Sequence, residues 1–420
     1  MAAKRFPAIF PASAEAALQP AARTNRIASP EGLFPMNARA AALALLAGNF
    51  IIGLSVLAPA GMIDPLALDF GVSVRAAAFL ITGGAVVLCI GSPLVAWGAA
   101  TTDRRLLLAA TMAVLALCHL ASALAPSYGV LLAVRLVEMG FAAIFTPQAA
   151  SAIAMMVPER ERPGAISFIF LGWSLAAAAG LPVVAWFSAE YGWRGVHWAM
   201  AGGAAVAAGL VWTTVPSGLK GLSMSLASWG SLLRDPLVLI LLAATILSSS
   251  GQFVIFTFFG PLLARVAEAT PAGIATCFAA FGIAGFVGNV VASRIVGQLG
   301  TLNTSLIFFA AMLVGAIVWA AAGRSIPIAI VASVIWGLGF ASSNSMQQAR
   351  LATAVPALAG AAVALNSSSI YIGQAAGSAL GGVMFDRALF TAMGWAGVAF
   401  LAVTLGLVVL SGRVGRRQAA

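Results

Sequence analysis

Charge is what this chain has least of. Its 420 residues include 22 lysines and arginines and 12 aspartates and glutamates, a charged fraction of 8%. A soluble globular domain carries roughly a quarter, so a water-soluble enzyme, a disordered protein and a nucleic-acid binder are all excluded by composition. Histidine occurs only twice. Cysteine occurs three times, and Cys89, Cys118 and Cys277 are too scattered for a metal pattern or a disulfide framework. Glycine is abundant, at 44, but has no strict three-residue period, which excludes collagen and suits closely packed membrane helices. What the chain has instead is apolar mass: 61% hydrophobic residues and a mean hydropathy of +1.02. It reads as a polytopic membrane protein.

A helix needs about 20 mostly apolar residues to cross a bilayer. Twelve stretches qualify, at about 38–60, 76–99, 105–125, 129–156, 165–188, 195–214, 236–264, 271–293, 303–322, 325–348, 357–383 and 390–411. The expected architecture is all-α, with twelve transmembrane helices in two pseudo-symmetric six-helix bundles. The bundles run over 38–214 and 236–412 and are joined by a cytoplasmic loop over 215–235. Residues 1–37 lack the compact apolar run of a signal peptide and read as a disordered cytoplasmic tail, with a short interfacial helix as the alternative. Residues 413–420 form a basic cytoplasmic tail.

The charges that exist are sorted by side. With both termini in the cytoplasm, sixteen lysines and arginines fall on the inner face and five on the outer, as the positive-inside rule requires. The inner face nets +10 and the outer face zero, so the formal charge of +10 is a statement about topology in a bacterial-type inner membrane. An outline repeat supports the same plan. GSPLVAWGAATTDRRLLL (91–108) has a counterpart in GNVVASRIVGQLGTLNTSL (288–306), 197 residues on. Two related halves fit alternating access around a central site.

Arg135 and Glu138 lie in the fourth span, three residues apart on one helix face and near mid-membrane. Ionisable groups at that depth are functional by default. Three readings stand for them: proton coupling or gating, a permanent brace, and direct substrate contact. Asn49, Gln252, Asn344, Asn366, Gln374 and Trp336 are the candidates for a substrate cavity. Asn49 and Gln252 are favoured because each lies in the first span of its half. His119 and His197, in spans three and six, read as packing or pocket residues without partners. With no ring of acids and no arginine cluster, the cavity suits neutral or amphipathic solutes. Gly172, Gly180 and Pro182 give the fifth span its capacity to bend. Asp103, beside Arg104 and Arg105, caps the third span and is positioned to clamp an inner gate.

These segments resemble the major facilitator superfamily. GSPLVAWGAATTDRRLLL is similar to its signature loop between helices two and three, and the Arg135 segment to its fourth-helix motif. Residues 157–194 resemble the gating fifth helix of its proton-driven drug and sugar efflux branch, and ALNSSSIYIGQAAGSALGG (364–382) its helix eleven. The resemblance implies a proton-coupled antiporter that exports small molecules, with proton symport or uncoupled import as the alternative. It also implies an inner-gate loop of Gly91, Pro93 and Asp103, beside which stand Arg104 and Arg105, proton transfer at Arg135, and a gating helix with Gly172, Gly180 and Pro182; Glu138 takes the carboxylate's role by elimination. The energy source is the proton gradient with no further cofactor; the partners are a small solute, the proton and the bilayer, with a monomer as the working unit. The departures are that Asp103 runs directly into Arg104, that Met139 stands where the fourth-helix motif has glycine, and that span one has no acid at mid-depth.

Overall fold

The computed structural model describes residues 36–98, 101–220, 230, 232–323 and 325–419. The expected tail up to residue 35 and residues 221–229 of the expected inter-bundle loop lie outside the described residues. The first half runs α1 (Met36–Gly61), α2 (Ile63–Phe70), α3 (Val74–Gly98), α4 (Arg104–Ala123), α5 (Tyr128–Met156), α6 (Arg162–Leu175), α7 (Leu181–Tyr191) and α8 (Trp193–Thr214). The second half runs α9 (Pro236–Phe256), α10 (Phe259–Val266), α11 (Pro271–Ala322), α12 (Ile326–Ala354), α13 (Ala359–Asp386) and α14 (Phe390–Ala419). The basic segment from residue 413 continues the helix of α14 to Ala419.

The repeat visible in two loops extends to the whole helix order. α2 and α10, α3 and α11, α5 and α12, α6 and α13, and α8 and α14 begin 196–198 residues apart. The seventh expected span, 236–264, is therefore two helices. Pro261 is the third residue of α10 as Pro65 is the third residue of α2, and both helices are eight residues long. A proline lacks the N–H that would bond four residues back. α1 ends at Gly61 and α9 at Phe256, ahead of these prolines, and each half has the same short turned helix at the same end.

Among the described residues, ten helices are long and apolar enough to cross a membrane. Two physical facts separate this from the expected twelve. α11 has 52 residues and breaks at Gly300, where φ 74° and ψ 164° suit only glycine; at 1.5 Å per residue it is about twice too long for one crossing. α13 is long enough but carries Asn366, Ser367, Ser368, Ser369, Gln374 and Ser378, and so falls outside the ten.

The helices pack as pseudo-symmetric bundles. α1 lies against α5, α6 and α8, and α9 against α13 and α14. Between the halves α3 packs along α13, with Thr82 donating to Ser378 at 2.8 Å and Ser368 to the Cys89 carbonyl at 3.2 Å. At the end of the molecule that carries α2 and α10, two ion pairs join the halves: Arg75–Asp386 at 3.4 Å and Arg265–Asp64 at 3.2 Å.

Candidate functional site

The polar centre of the first half starts from a proline. Pro59 lies inside α1, and its missing N–H leaves the Ser55 carbonyl without a helical partner. Arg135 takes that carbonyl through Nη1 at 2.6 Å. Its Nη2 donates to Val56 O at 3.3 Å and its Nε to Leu80 O at 3.4 Å, so one guanidinium ties α5 to α1 and α3. Nη1 also meets Glu138 Oε1 at 3.1 Å. Arg135 is 4% exposed and Glu138 0%. The expected pair is therefore real, intramolecular and sealed from solvent.

The sequence reading left the two histidines without partners, and the structure corrects it by pairing them. His119 Nε2 lies 2.9 Å from Ser55 Oγ and 3.5 Å from Glu138 Oε1. His119 Nδ1 faces His197 Nδ1 at 3.2 Å, so one of these nitrogens donates while the other accepts. A signal for this was present in the chain. His119 is four residues before the end of α4 and His197 four residues after the start of α8, which puts them at one depth on helices that pack together. Next to them is a small cavity lined by Ser55, Pro59, His119, Ser122, Arg135 and His197, with room for about one water molecule. Further toward the same end, Trp193 Nε1 and Arg194 both donate to Asp69, at 3.1 and 2.5 Å. The Arg194 bond holds the Asp69 carboxyl below its ordinary range.

Among the described residues, the second half has no such centre. At the corresponding positions stand Ala316, Ser333, Trp336 and Gly394. Trp336 is buried against Phe256, Phe259 and Phe281. Its Nε1 and the buried Oε1 of Gln252 have no hydrogen-bond partner among the described residues, while Gln252 Nε2 donates to Ser248 at 3.1 Å.

The six candidate cavity residues fall into three settings. Asn49 donates to Ile169 O at 3.1 Å and accepts from Thr146 at 2.8 Å, tying α1 to α5 and α6. In the second half Thr245 donates to Asn366 at 2.8 Å and Asn366 to Asn344 at 3.1 Å, tying α9 to α13 and α12. Asn49, Thr146 and Ile169 precede Thr245, Asn344 and Asn366 by 196–198 residues, so the two ties are one feature repeated. Asn49 and Gln252 are thereby not equivalent: the bonds match Asn49 to Thr245, and the same offset of 196 residues sets Gln252 against Val56. Gln252 and Trp336 share the aromatic region, and Gln374 is buried on α13.

Of the inner-gate residues, Gly91 lies within α3, where an added Cβ would come 3.0 Å from the Ala143 side chain of α5. The side chain of Pro93 lies outside the described residues. Asp103 caps α4 by accepting from Leu106 N at 3.2 Å and also accepts from Gly218 N. The Gly218 N–H holds its carboxyl below the ordinary range. Arg104 N donates to Leu219 O at 2.9 Å, and Arg105 lies 4.2 Å over the Trp212 ring. The loop thus fastens the start of the inter-bundle connection.

In the gating helix, five residues, Ala176–Gly180, form a π-helical turn between α6 and α7, just before Pro182. Pro182 cannot donate to the carbonyl four residues back, which is where this turn sits. Gly172 and Gly180 pack the helix on α1, at Asn49 and Leu54. The π turn also meets the second half: a Cβ at Gly282 of α11 would collide with the backbone of Ala177 and Ala178.

Two pseudo-symmetric helical bundles, a bent helix pair between them and a sealed charge centre in one half define a membrane carrier. The profile of the Major Facilitator Superfamily matches residues 43–378, and the chain belongs to that superfamily. It is 27% identical over 349 residues to the inner membrane transport protein YdhP of Escherichia coli K12, covering 83% of this chain and 89% of that protein. It is 26% identical over 372 residues to a Helicobacter pylori protein named "Probable sugar efflux transporter", covering 86% and 91%. Among solved structures, an inward-facing bacterial homologue of the lysosomal transporter Spinster superposes with a TM-score of 0.70 at 16% identity, covering 91% of this chain and 98% of that one. A D-xylose–proton symporter superposes at 0.68 and 17% identity, covering 86% and 96%. The named relatives are diverse and establish the superfamily, not its drug and sugar efflux branch. The protein is a polytopic inner-membrane-type transporter that moves small solutes by secondary-active alternating access, and it is not a catalytic enzyme.

Proposed function

We propose a proton-coupled carrier of small neutral solutes, working as a monomer with twelve spans in two sets of six and both termini in the cytoplasm. The observation that carries the coupling is Glu138: fully buried, paired with Arg135 at 3.1 Å, and replaced by Trp336 at the corresponding position of the second half. Only one half has a carboxylate that can take up a proton at depth. Protonation removes the charge that Arg135 pairs with, frees the guanidinium for the α1 and α3 carbonyls alone, and shifts the balance between the two access states. The solute site falls to the aromatic region of the second half, where Gln252 Oε1 offers an acceptor and Trp336 Nε1 a donor. Such a site suits an uncharged solute with hydroxyl or amide groups. The two ion pairs across the α2–α10 end close the outer side in this conformation.

For direction, we put proton–solute symport into the cell ahead of the export that the resemblance implied. Solved carriers of this fold include the D-xylose–proton symporter and a nucleoside transporter. Export is the second reading, favoured by the Helicobacter pylori relatives.

The test is transport into proteoliposomes of a panel of neutral sugars and nucleosides under an imposed pH gradient of either sign. Symport moves solute with the proton and antiport moves it against the proton. Glu138→Gln is expected to retain exchange of solute without a gradient while losing accumulation driven by one. Full gradient-driven accumulation in that variant would remove Glu138 from the coupling step.

A further inference from the structure

We propose that His119 and His197 are the proton relay between Glu138 and the end of the first bundle that carries Trp193, which makes the proton route separate from the solute site. This rests on Glu138 as the coupling carboxylate. Three observations carry it. The groups form an unbroken series of short steps: His197 Nδ1 to His119 Nδ1 at 3.2 Å, His119 Nε2 to Ser55 Oγ at 2.9 Å, and His119 Nε2 to Glu138 Oε1 at 3.5 Å. The series joins three helices, from His197 one turn inside α8, across His119 at the same depth on α4, to Glu138 ten residues into α5, which lies deeper from this end. It adjoins a cavity of about one water molecule, lined also by Pro59, Ser122 and Met200 and wholly by residues of the first half.

The charged and titratable groups facing the pair are few. α5 contributes Arg135 and Glu138, α4 itself contributes Cys118, and α1 contributes only the Ser55 hydroxyl and its carbonyls. Arg135 is held in place by three backbone carbonyls and Glu138. The movable protons are those of the two imidazoles and the carboxyl.

The transfer balances as follows. His197 begins with its proton on Nδ1 and His119 with its proton on Nε2. A proton arriving at His197 Nε2 is matched by passage of the Nδ1 proton to His119 Nδ1. His119 then gives its Nε2 proton to Glu138 Oε1, directly or through the Ser55 hydroxyl. One proton has entered, one carboxylate has become a carboxylic acid, and both rings are neutral in the opposite tautomer. Exchange with water in the adjoining cavity returns them to the starting one. Chains of histidine and carboxylate within a membrane are a recognised means of moving protons.

The experiment uses the full chain in lipid vesicles of known orientation, with the proton itself as the probe. Infrared absorption in the carboxylic-acid region follows Glu138 after a rapid drop in pH on one face. One band, distinct from those of the exposed carboxyl groups that acid protonates in every variant, is expected in wild type and absent in Glu138→Gln. His119→Gln and His197→Gln are each expected to keep its final amplitude while slowing its appearance by about tenfold or more. In wild type, acid applied to the face carrying Trp193 is expected to protonate Glu138 faster than acid applied to the opposite face. An unchanged rate in both histidine variants overturns the relay, as does faster protonation from the opposite face in wild type. The sidedness measurement needs no variant, so it decides the matter even where a substituted chain does not fold. Survival of that distinct band in Glu138→Gln overturns the assignment of Glu138 itself, which is a separate outcome.

Discussion

Replacing Arg135 with methionine tests the centre most directly. Methionine is apolar and similar in length, so the helix packing is kept while the hydrogen bonds are lost. Two acceptors are then stranded. Glu138 loses its only fixed cation at 0% exposure, and Ser55 O loses the partner that Pro59 had made necessary. Removing one partner of a buried ion pair costs about 3–5 kcal/mol, and a stranded buried carbonyl about 1–3 kcal/mol. The two overlap, since the bonds share one nitrogen, and a total near 4 kcal/mol is expected. Ordinary interhelical hydrogen bonds in membranes average only about 0.6 kcal/mol, so the number separates a charge centre from routine packing. The measurement is reversible unfolding in mixed micelles, followed by loss of helical circular dichroism. Adding Glu138→Gln to the arginine variant removes the stranded charge and is expected to return about 2 kcal/mol or more. A single variant within about 1 kcal/mol of wild type, or a double variant that merely adds the two losses, would refute the reasoning.

Three further outcomes follow from the geometry. Gly282→Leu has no room against the Ala177–Ala178 backbone, so the halves are expected to separate in this conformation; disulfide cross-linking through Arg75→Cys and Asp386→Cys should fall severalfold, and an unchanged yield would show that the π turn yields instead. Asn366→Ala removes the tie to Thr245 and Asn344 and is expected to cost about 1 kcal/mol in the same unfolding measurement, well below the arginine variant. Asp69 has its carboxyl held below the ordinary 3.8 by Arg194, so its contribution is present above that value and is lost as pH falls through the lowered one. Asp69→Asn should therefore lower the melting temperature equally at about pH 7 and pH 5, with the difference closing only in stronger acid; a gap that already narrows between those two values would point to another group.

Much of this molecule was legible before any coordinates. Membrane class, the approximate spans and the two-half order follow from apolar run length and from the side on which Lys and Arg fall, because a hydrocarbon core tolerates neither exposed backbone nor free charge. Arg135 and Glu138 stood out for the same reason, as a pair three residues apart on one face. The turned helices α2 and α10 were present in the chain as Pro65 and Pro261, but Pro65 fell between two expected spans and Pro261 was read as part of a longer apolar run, since hydropathy does not register a missing N–H. α13 shows the converse, a helix of full length whose polar residues keep it from scoring as apolar.

Other features depended on helices brought together across the fold. That Pro59 frees the carbonyl Arg135 needs, that His119 and His197 meet, and that Asn49 answers to Thr245 are contacts between residues 64 to 121 positions apart, or equivalences read from such contacts. Periodicity along one helix carries no information about which neighbour a side chain will face. The sequence by itself determined that charge is scarce, which side most of it occupies, and which two charges lie at depth. The tertiary structure decided what those two charges touch, because a buried ion is satisfied only by donors and acceptors that packing delivers from other helices.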